Sequence, residues 1–145
     1  MILLMMDIKT LMLLAVVAII AVSCAKIFTK SHQNRNLALA SYASVGVDEF
    51  QALIAEPVVQ LLDVRSQEEF DDGHISGAVL VDVNDTAFVA NALAVLDKQR
   101  PVAVYCRSGR RSSRAASLLV GEGFSVTNLD GGVIAWQDAG KSLVK

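Results

Sequence analysis

Four short apolar runs, at residues 58–64, 78–83, 101–105 and 124–129, alternate with segments of helical spacing, and this alternation restricts the fold more than any other feature. Runs such as VVQLLDV and PVAVY have no polar side to turn to water, which is the pattern of strands buried on both faces. Pro101 stands at the first position of its run, where a strand tolerates it. Between the runs, residues 47–55 place Phe50, Leu53 and Ile54 at helical spacing. Residues 66–72 read as a short helix capped by Ser66 and stopped by Gly73. The spacing predicts a helix over 86–96 with Phe88, Val89, Leu93 and Leu96 on one face. It predicts another over 112–120, with Ala115, Ala116, Leu118 and Leu119 inward and Gly121 as its end. A last helix, 132–139, carries the single tryptophan, Trp136. Strands alternating with helices over about 100 residues define an α/β domain with a mainly parallel sheet.

That domain occupies residues 44–145. The 145-residue chain has room for it and a tail. The two parts differ in charge. Residues 1–43 carry four basic side chains and one acidic, a net of +3, whereas 44–145 carry nine basic and fourteen acidic, a net of −5. An acidic domain argues against nucleic acid as a partner, because phosphate neutralisation by Lys and Arg supplies most of that affinity. Residues 10–25, TLMLLAVVAIIAVSCA, contain no charge and follow Lys9. As a helix they would span about 24 Å, short of a ~30 Å hydrocarbon core, and a run of this kind ending in small residues is the pattern of a secretory signal. Cys24 at its end resembles the lipidated cysteine of bacterial lipoproteins, with Ala21 where that family prefers Leu. Residues 1–25 are therefore expected to be a signal peptide or membrane anchor with Cys24 as lipidation candidate, and 26–43 a linker. This places the protein in the bacterial cell envelope, membrane-tethered or periplasmic. Two alternatives stay open: cleavage after Ala25, and an uncleaved helix over 8–28. For the latter, Lys26, Lys30 and Arg35 would favour a cytoplasm-facing domain.

The chemistry gathers after the third apolar run. PVAVY ends at Cys106, and Arg107-Ser108-Gly109-Arg110-Arg111-Ser112 then open a helix. In open α/β sheets, ligands bind where carboxyl ends of strands meet helix N-termini. Such a junction aims successive backbone N–H groups at one centre, and the helix dipole adds positive charge there. Amides, helix end and arginines all favour thiolate over thiol. Packing gives no reason to cluster Arg107, Arg110, Arg111 and Arg114 within eight positions. The pattern predicts a nucleophilic Cys106 acting on an anionic substrate.

Three stretches carry a family resemblance: LLDVRSQEEFDDGHISGA at 61–78, VAVYCRSGRRS at 102–112 and NLDGGVIAW at 128–136. Together they resemble the rhodanese-like sulfurtransferases over the whole of 44–145. The resemblance implies a five-stranded, mainly parallel sheet flanked by helices on both faces. It implies that Cys106 takes the outer sulfur of thiosulfate or a similar donor as a persulfide. That sulfur would pass to a thiophilic acceptor such as cyanide or a thiol. It assigns Arg107, Ser108, Gly109, Arg110 and Arg111 to the loop that holds the substrate, with Arg107 or Arg111 on the sulfonate, and leaves Arg114 beside the site. Asp63, Arg65, Glu69 and His74 are expected to be structural support, Asp63 and Arg65 bracing the loop and Glu69 pairing with Arg65. Gly131-Gly132 read as a turn and Trp136 as a core anchor.

Two other functions compete. A Cys-dependent phosphatase or arsenate reductase on the same scaffold would use a wider loop with Arg six positions after Cys; here that position is Ser112, and Arg111 stands at five. A sulfur carrier or thiol-redox partner with little turnover would keep Cys106 but depend on another protein. No metal or other cofactor is expected, since two histidines, no P-loop and no G-x-G-x-x-G leave nothing to hold one.

Overall fold

The computed structural model describes residues 41–145. The signal or anchor segment, Cys24 and the linker up to residue 40 lie outside the described residues. Five strands, β1 (Ala43–Val45), β2 (Gln60–Asp63), β3 (Val79–Leu80), β4 (Val102–Tyr105) and β5 (Val126–Leu129), form one sheet in the order β1-β5-β4-β2-β3. All four pairings are parallel. The helices are α1 (Val47–Ile54), α2 (Gln67–Asp72), α3 (Phe88–Val95), α4 (Arg110–Gly121) and α5 (Gly132–Asp138). The expected α/β architecture with a five-stranded parallel sheet is thus what the chain adopts.

The two faces of the sheet can be read from the pleat. In β4, Val102 and Val104, followed by Cys106, belong to one core with Phe88, Ala92, Ala115, Ala116 and Leu119 of α3 and α4. Ala103 and Tyr105 belong to the other, with Phe50, Val133 and Trp136 of α1 and α5. Period-two alternation in a strand covered on both sides therefore fixes the face on which Cys106 lies. Because every strand is parallel, the carboxyl ends of β2, β4 and β5 share one edge of the sheet.

Several expectations change. β1 falls at the boundary assigned to the linker and does not show as an apolar run; its three residues become a strand by pairing with β5 at Thr127, Asn128 and Leu129. Leu93 and Leu118 are 40% and 38% exposed. In α3, Ala92 takes the inward position instead, because a small side chain lets the helix lie closer to the sheet. Helix α4 begins at Arg110, two residues before the expected start, which carries two of the arginines into its first turn. The second apolar run yields only two strand residues, Val79 and Leu80. Helix α2 keeps both ends as read, with a reciprocal capping box between Ser66 and Glu69 and Gly73 as its C-cap.

Candidate active site

Cys106 follows β4 directly and is 1% exposed. The residues after it curl around its sulfur. The Gly109 N–H donates to Cys106 Sγ at 3.2 Å, and the Ser112 hydroxyl lies 3.4 Å from it. The backbone N–H groups of Ser108 and Ser112 also face the sulfur. Gly109 makes this turn possible: it sits at φ +90°, in the left-handed region, and a Cβ there would press on the Gly131 nitrogen at 3.3 Å.

The acidity of the thiol follows from that geometry. Burial pushes its pKa up, but the Ser112 hydroxyl and then the N–H groups of Ser112, Ser108 and Gly109 outweigh burial and leave it lowered. The arginine-rich sequence suggests that guanidinium groups share this role. In the structure the largest stabilising contributions come from one hydroxyl and three amides, with the Arg111 guanidinium coupled to the sulfur by charge, and Ser112 is the residue that sequence reasoning missed. Its signal was its place in the first turn of α4, where a side chain points back over the preceding loop.

A second helix holds the loop from behind. The Val133 N–H donates to the Cys106 carbonyl at 2.9 Å and the Ile134 N–H to the Arg107 carbonyl at 3.1 Å. The first turn of α5 thus draws these two carbonyls away from the sulfur. Such an approach requires Gly132: at φ +59°, a Cβ would meet the Cys106 carbonyl oxygen and lie 2.6 Å from the Arg107 carbonyl carbon. Trp136 is buried in the core and donates from Nε1 to the Ser142 carbonyl at 3.1 Å.

The supporting residues separate into two ion pairs. Arg65 lies on Asp63, with Nη2–Oδ2 at 2.7 Å and Nε–Oδ2 at 2.9 Å, and also donates to the Gly73 carbonyl at 2.8 Å. Burial works against the Arg65 charge, but the Asp63 hydrogen bond prevails and its pKa is raised. Glu69 does not pair with Arg65. It binds Arg111 through two 2.7 Å contacts, because Arg65 is already held by the nearer Asp63 while α4 brings Arg111 against α2. The Arg111 guanidinium, followed by the Ser66 N–H, holds the Glu69 carboxyl at about 2, below its ordinary 4.5. His74 supports the fold from further away: its ring stacks on Phe70 at 3.7 Å and its backbone pairs with Val144 in both directions at 2.8 Å. These contacts join α2 to residues 143–145.

Arg107, Ser108, Arg110, Arg111, Arg114 and Asn84 line a cleft of about 680 Å³ over the loop. Arg107 also lines a second depression with Arg65, Glu69 and Ile134. Arg114 therefore belongs to the same cleft as the loop arginines. Among the described residues, no group of three or more His, Cys, Asp or Glu side chains is placed to hold a metal ion. Nor is any helix there long and apolar enough to cross a membrane.

A parallel sheet with a cysteine cradled between β4 and α4 defines a class of α/β domain with a buried sulfur at the carboxyl end of a central strand. Residues 46–139 match the rhodanese-like domain, and the chain belongs to that family. It is 34% identical over 103 residues to a thiosulfate sulfurtransferase GlpE of Shewanella oneidensis, covering 70% of this chain and 98% of that protein. It is 35% identical over 83 residues to a putative sulfurtransferase, YtwF, of Bacillus subtilis, covering 57% and 78%. Among solved structures, the rhodanese-like domain of the Anabaena protein Alr3790 superimposes with a TM-score of 0.63 at 31% identity, covering 72% of this chain and 80% of that one.

Proposed function

We propose that the protein is a sulfurtransferase that moves a sulfane sulfur from thiosulfate, or a similar donor, through a Cys106 persulfide to a thiophilic acceptor. The observation that carries this reading is the cradle around Sγ, where a hydroxyl and three amides lower the thiol pKa against burial. Family membership and relatives named thiosulfate sulfurtransferase support it. In the first half-reaction the Cys106 thiolate attacks the outer sulfur of thiosulfate. A bond forms between Sγ and that sulfur, the bond to the sulfonate sulfur breaks, and sulfite leaves with the bonding pair. The enzyme keeps one negative charge, now on the outer persulfide sulfur, where the loop amides remain as donors. In the second, the acceptor (cyanide, or a thiolate) attacks the outer sulfur and Cys106 departs as thiolate. No proton is exchanged with the enzyme in either half, so His74 has no part to play as a base.

Arg107 is the guanidinium we assign to the sulfonate and the departing sulfite, since it follows Cys106 directly, lines the cleft over the loop and makes no ion pair among the described residues. Position six after Cys106, where a phosphatase would need its arginine, is Ser112, and Arg111 at position five is paired with Glu69. The test is mass spectrometry of the purified protein after thiosulfate. The mass of one sulfur atom should appear on Cys106, disappear with cyanide, and be absent in Cys106→Ser; release of phosphate from an aryl phosphate without any such adduct would overturn the reading.

We also place the domain in the cell envelope, held through Cys24 or exported by residues 1–25, on the strength of the sequence pattern alone. Cys24→Ala should free the protein from membranes. Unchanged membrane association of that variant would favour the uncleaved helix.

A further inference from the structure

Three donors converge on one carbonyl at the start of α4. The Gly109 oxygen accepts from the Ser113 N–H at 3.0 Å, from the Ser113 hydroxyl at 2.8 Å and from the Ser112 hydroxyl at 3.1 Å. A carbonyl oxygen has two lone pairs. The two Ser113 contacts are the shorter and take both, which makes Ser112 the surplus donor. Its single proton has another acceptor in Cys106 Sγ, at 3.4 Å. Keeping the Gly109 carbonyl filled therefore steers the Ser112 hydroxyl towards the sulfur.

The proton of Ser113 is itself directed. Asn128 of β5 is 1% exposed, and its Nδ2 donates to Ser44 Oγ at 3.0 Å and to Ser113 Oγ at 3.4 Å. An amide nitrogen carries two hydrogens, and these two hydroxyl oxygens receive both. Ser113 Oγ thus accepts on the side of β5 and donates to the Gly109 carbonyl. A helical serine often bonds the carbonyl four residues back without further consequence. Ser117 does so in the same helix, donating to the Ser113 carbonyl at 3.1 Å. What separates Ser113 is the shared acceptor, since its carbonyl is also within reach of the hydroxyl that faces Cys106.

Building on the sulfurtransferase reading, we infer that Ser113 is a positioning residue, occupying the Gly109 carbonyl so that the Ser112 hydroxyl donates to the attacking sulfur of Cys106. Without the Ser113 hydroxyl that carbonyl regains a lone pair, the Ser112 proton turns towards it, and the thiolate loses part of its strongest donor. Ser113 acts only through Ser112. Arg111, the charged side chain coupled to the sulfur, is held by Glu69 and takes no part in these bonds, so its contribution stays the same.

The test follows iodoacetamide alkylation against pH in the full chain, read at Cys106 by peptide mass spectrometry. The variants are Ser113→Ala, Ser117→Ala, Ser112→Ala and Ser112→Ala/Ser113→Ala. Alanine is the strongest helix former, so each change leaves α4 intact. In Ser113→Ala the profile should move to higher pH, and the rate below its midpoint should fall about threefold, part of what one charge-assisted bond is worth. Persulfide formation from thiosulfate should fall by the same factor. Once Ser112 is alanine, adding Ser113→Ala should change neither rate, because the group it positions is gone. Ser117→Ala, which removes an equivalent bond one turn further on, should match wild type. A Ser113→Ala profile coincident with wild type overturns the inference. So does an equal fall in both backgrounds, or in Ser117→Ala, either of which would assign the effect to the helix as a whole. Alkylation needs no sulfur donor, so the two readings fail separately. The expected alkylation pattern without any persulfide from thiosulfate would sink the reaction and keep the role of Ser113.

Discussion

Cys106 is buried among apolar neighbours on its strand face, and burial alone would make its thiol a weaker acid. What reverses the sign is a set of short contacts, of which the Ser112 hydroxyl is the largest. Ser112 Oγ has one proton and two acceptors within reach, Cys106 Sγ at 3.4 Å and the Gly109 carbonyl at 3.1 Å. Ionising the sulfur draws that proton towards Sγ, since hydrogen bonds to charged groups are stronger than neutral ones. Ser112→Ala should therefore raise the thiol pKa and slow persulfide formation about tenfold at neutral pH, the value of one charge-assisted bond of roughly 1.5 kcal/mol. The pH profile of iodoacetamide alkylation reads this directly. In wild type the reactive form is lost as pH falls through the lowered pKa, and in the variant the profile moves to higher pH. Coincident profiles would assign the acidity to the amides alone. Glu69 gives a second residue-scale outcome. Its carboxyl, held at about 2 against an ordinary 4.5, stabilises the fold in full above 4.5 and loses that contribution as pH falls towards 2. The pair with Arg111 is about a quarter exposed, so the contribution is limited to about 1–2 kcal/mol. Glu69→Gln should remove that much at neutral pH, and urea midpoints of wild type and variant should converge at the acid end. Parallel midpoints across that range would mean the carboxylate does not titrate with the fold.

At the scale of elements, the site depends on α5 as much as on α4. The close approach of α5 to the cysteine loop requires a residue without a side chain at Gly132, where left-handed backbone and steric contact act together. Gly140 separates the two effects: it has φ +74°, but a Cβ at that position would meet nothing within 4 Å. Gly140→Ala should cost only the backbone strain, about 1 kcal/mol. Gly132→Ala should cost at least about 2–3 kcal/mol and also change the alkylation rate of Cys106, because the strand–loop junction has to move. Equal losses in the two variants would show that contact with the loop is unimportant. The sequence made the strand–loop–helix junction legible because an apolar run, a cysteine and a helix start are local features. The pair of glycines was legible as a turn, but not as the surface on which Cys106 and Arg107 rest, since that contact joins residues far apart in the chain. The Glu69–Arg111 pair was missed for the same reason, its partners being 42 positions apart. The exposed Leu93 and Leu118 mark the limit of periodicity: helical spacing gives an apolar stripe, and packing decides how much of it is covered.

For the whole molecule, the sheet edge at β1 is the feature least expected from the sequence pattern. Ala-Ser-Val is too short to show alternation, and its strand character comes from its neighbour. Without it β5 would present an unpaired edge, a template for association with other chains. The contacts involved are specific. Val45 accepts from the Asp130 N–H at 2.9 Å, and Ser44 Oγ accepts from Asn128 Nδ2 at 3.0 Å. Asn128 is 1% exposed and its Oδ1 has no partner among the described residues, so losing Ser44 would leave this amide held only by Ser113 at 3.4 Å. Both hydrophobic cores lie within residues 41–145, and a chain beginning at residue 41 should unfold cooperatively. A chain beginning at residue 47 loses the β1–β5 hydrogen bonds and the packing of Tyr42 and Val45 on the two cores. At about 1 kcal/mol for each of two or three backbone bonds, the loss is about 2–3 kcal/mol. For a domain of this size that lowers Tm by on the order of 10–20 °C. Calorimetry on the two fragments decides the matter, with light scattering to detect association through the opened edge. Equal Tm values would mean that β1 rests on the sheet without holding it, and that the boundary drawn at residue 44 from composition already enclosed everything the fold requires.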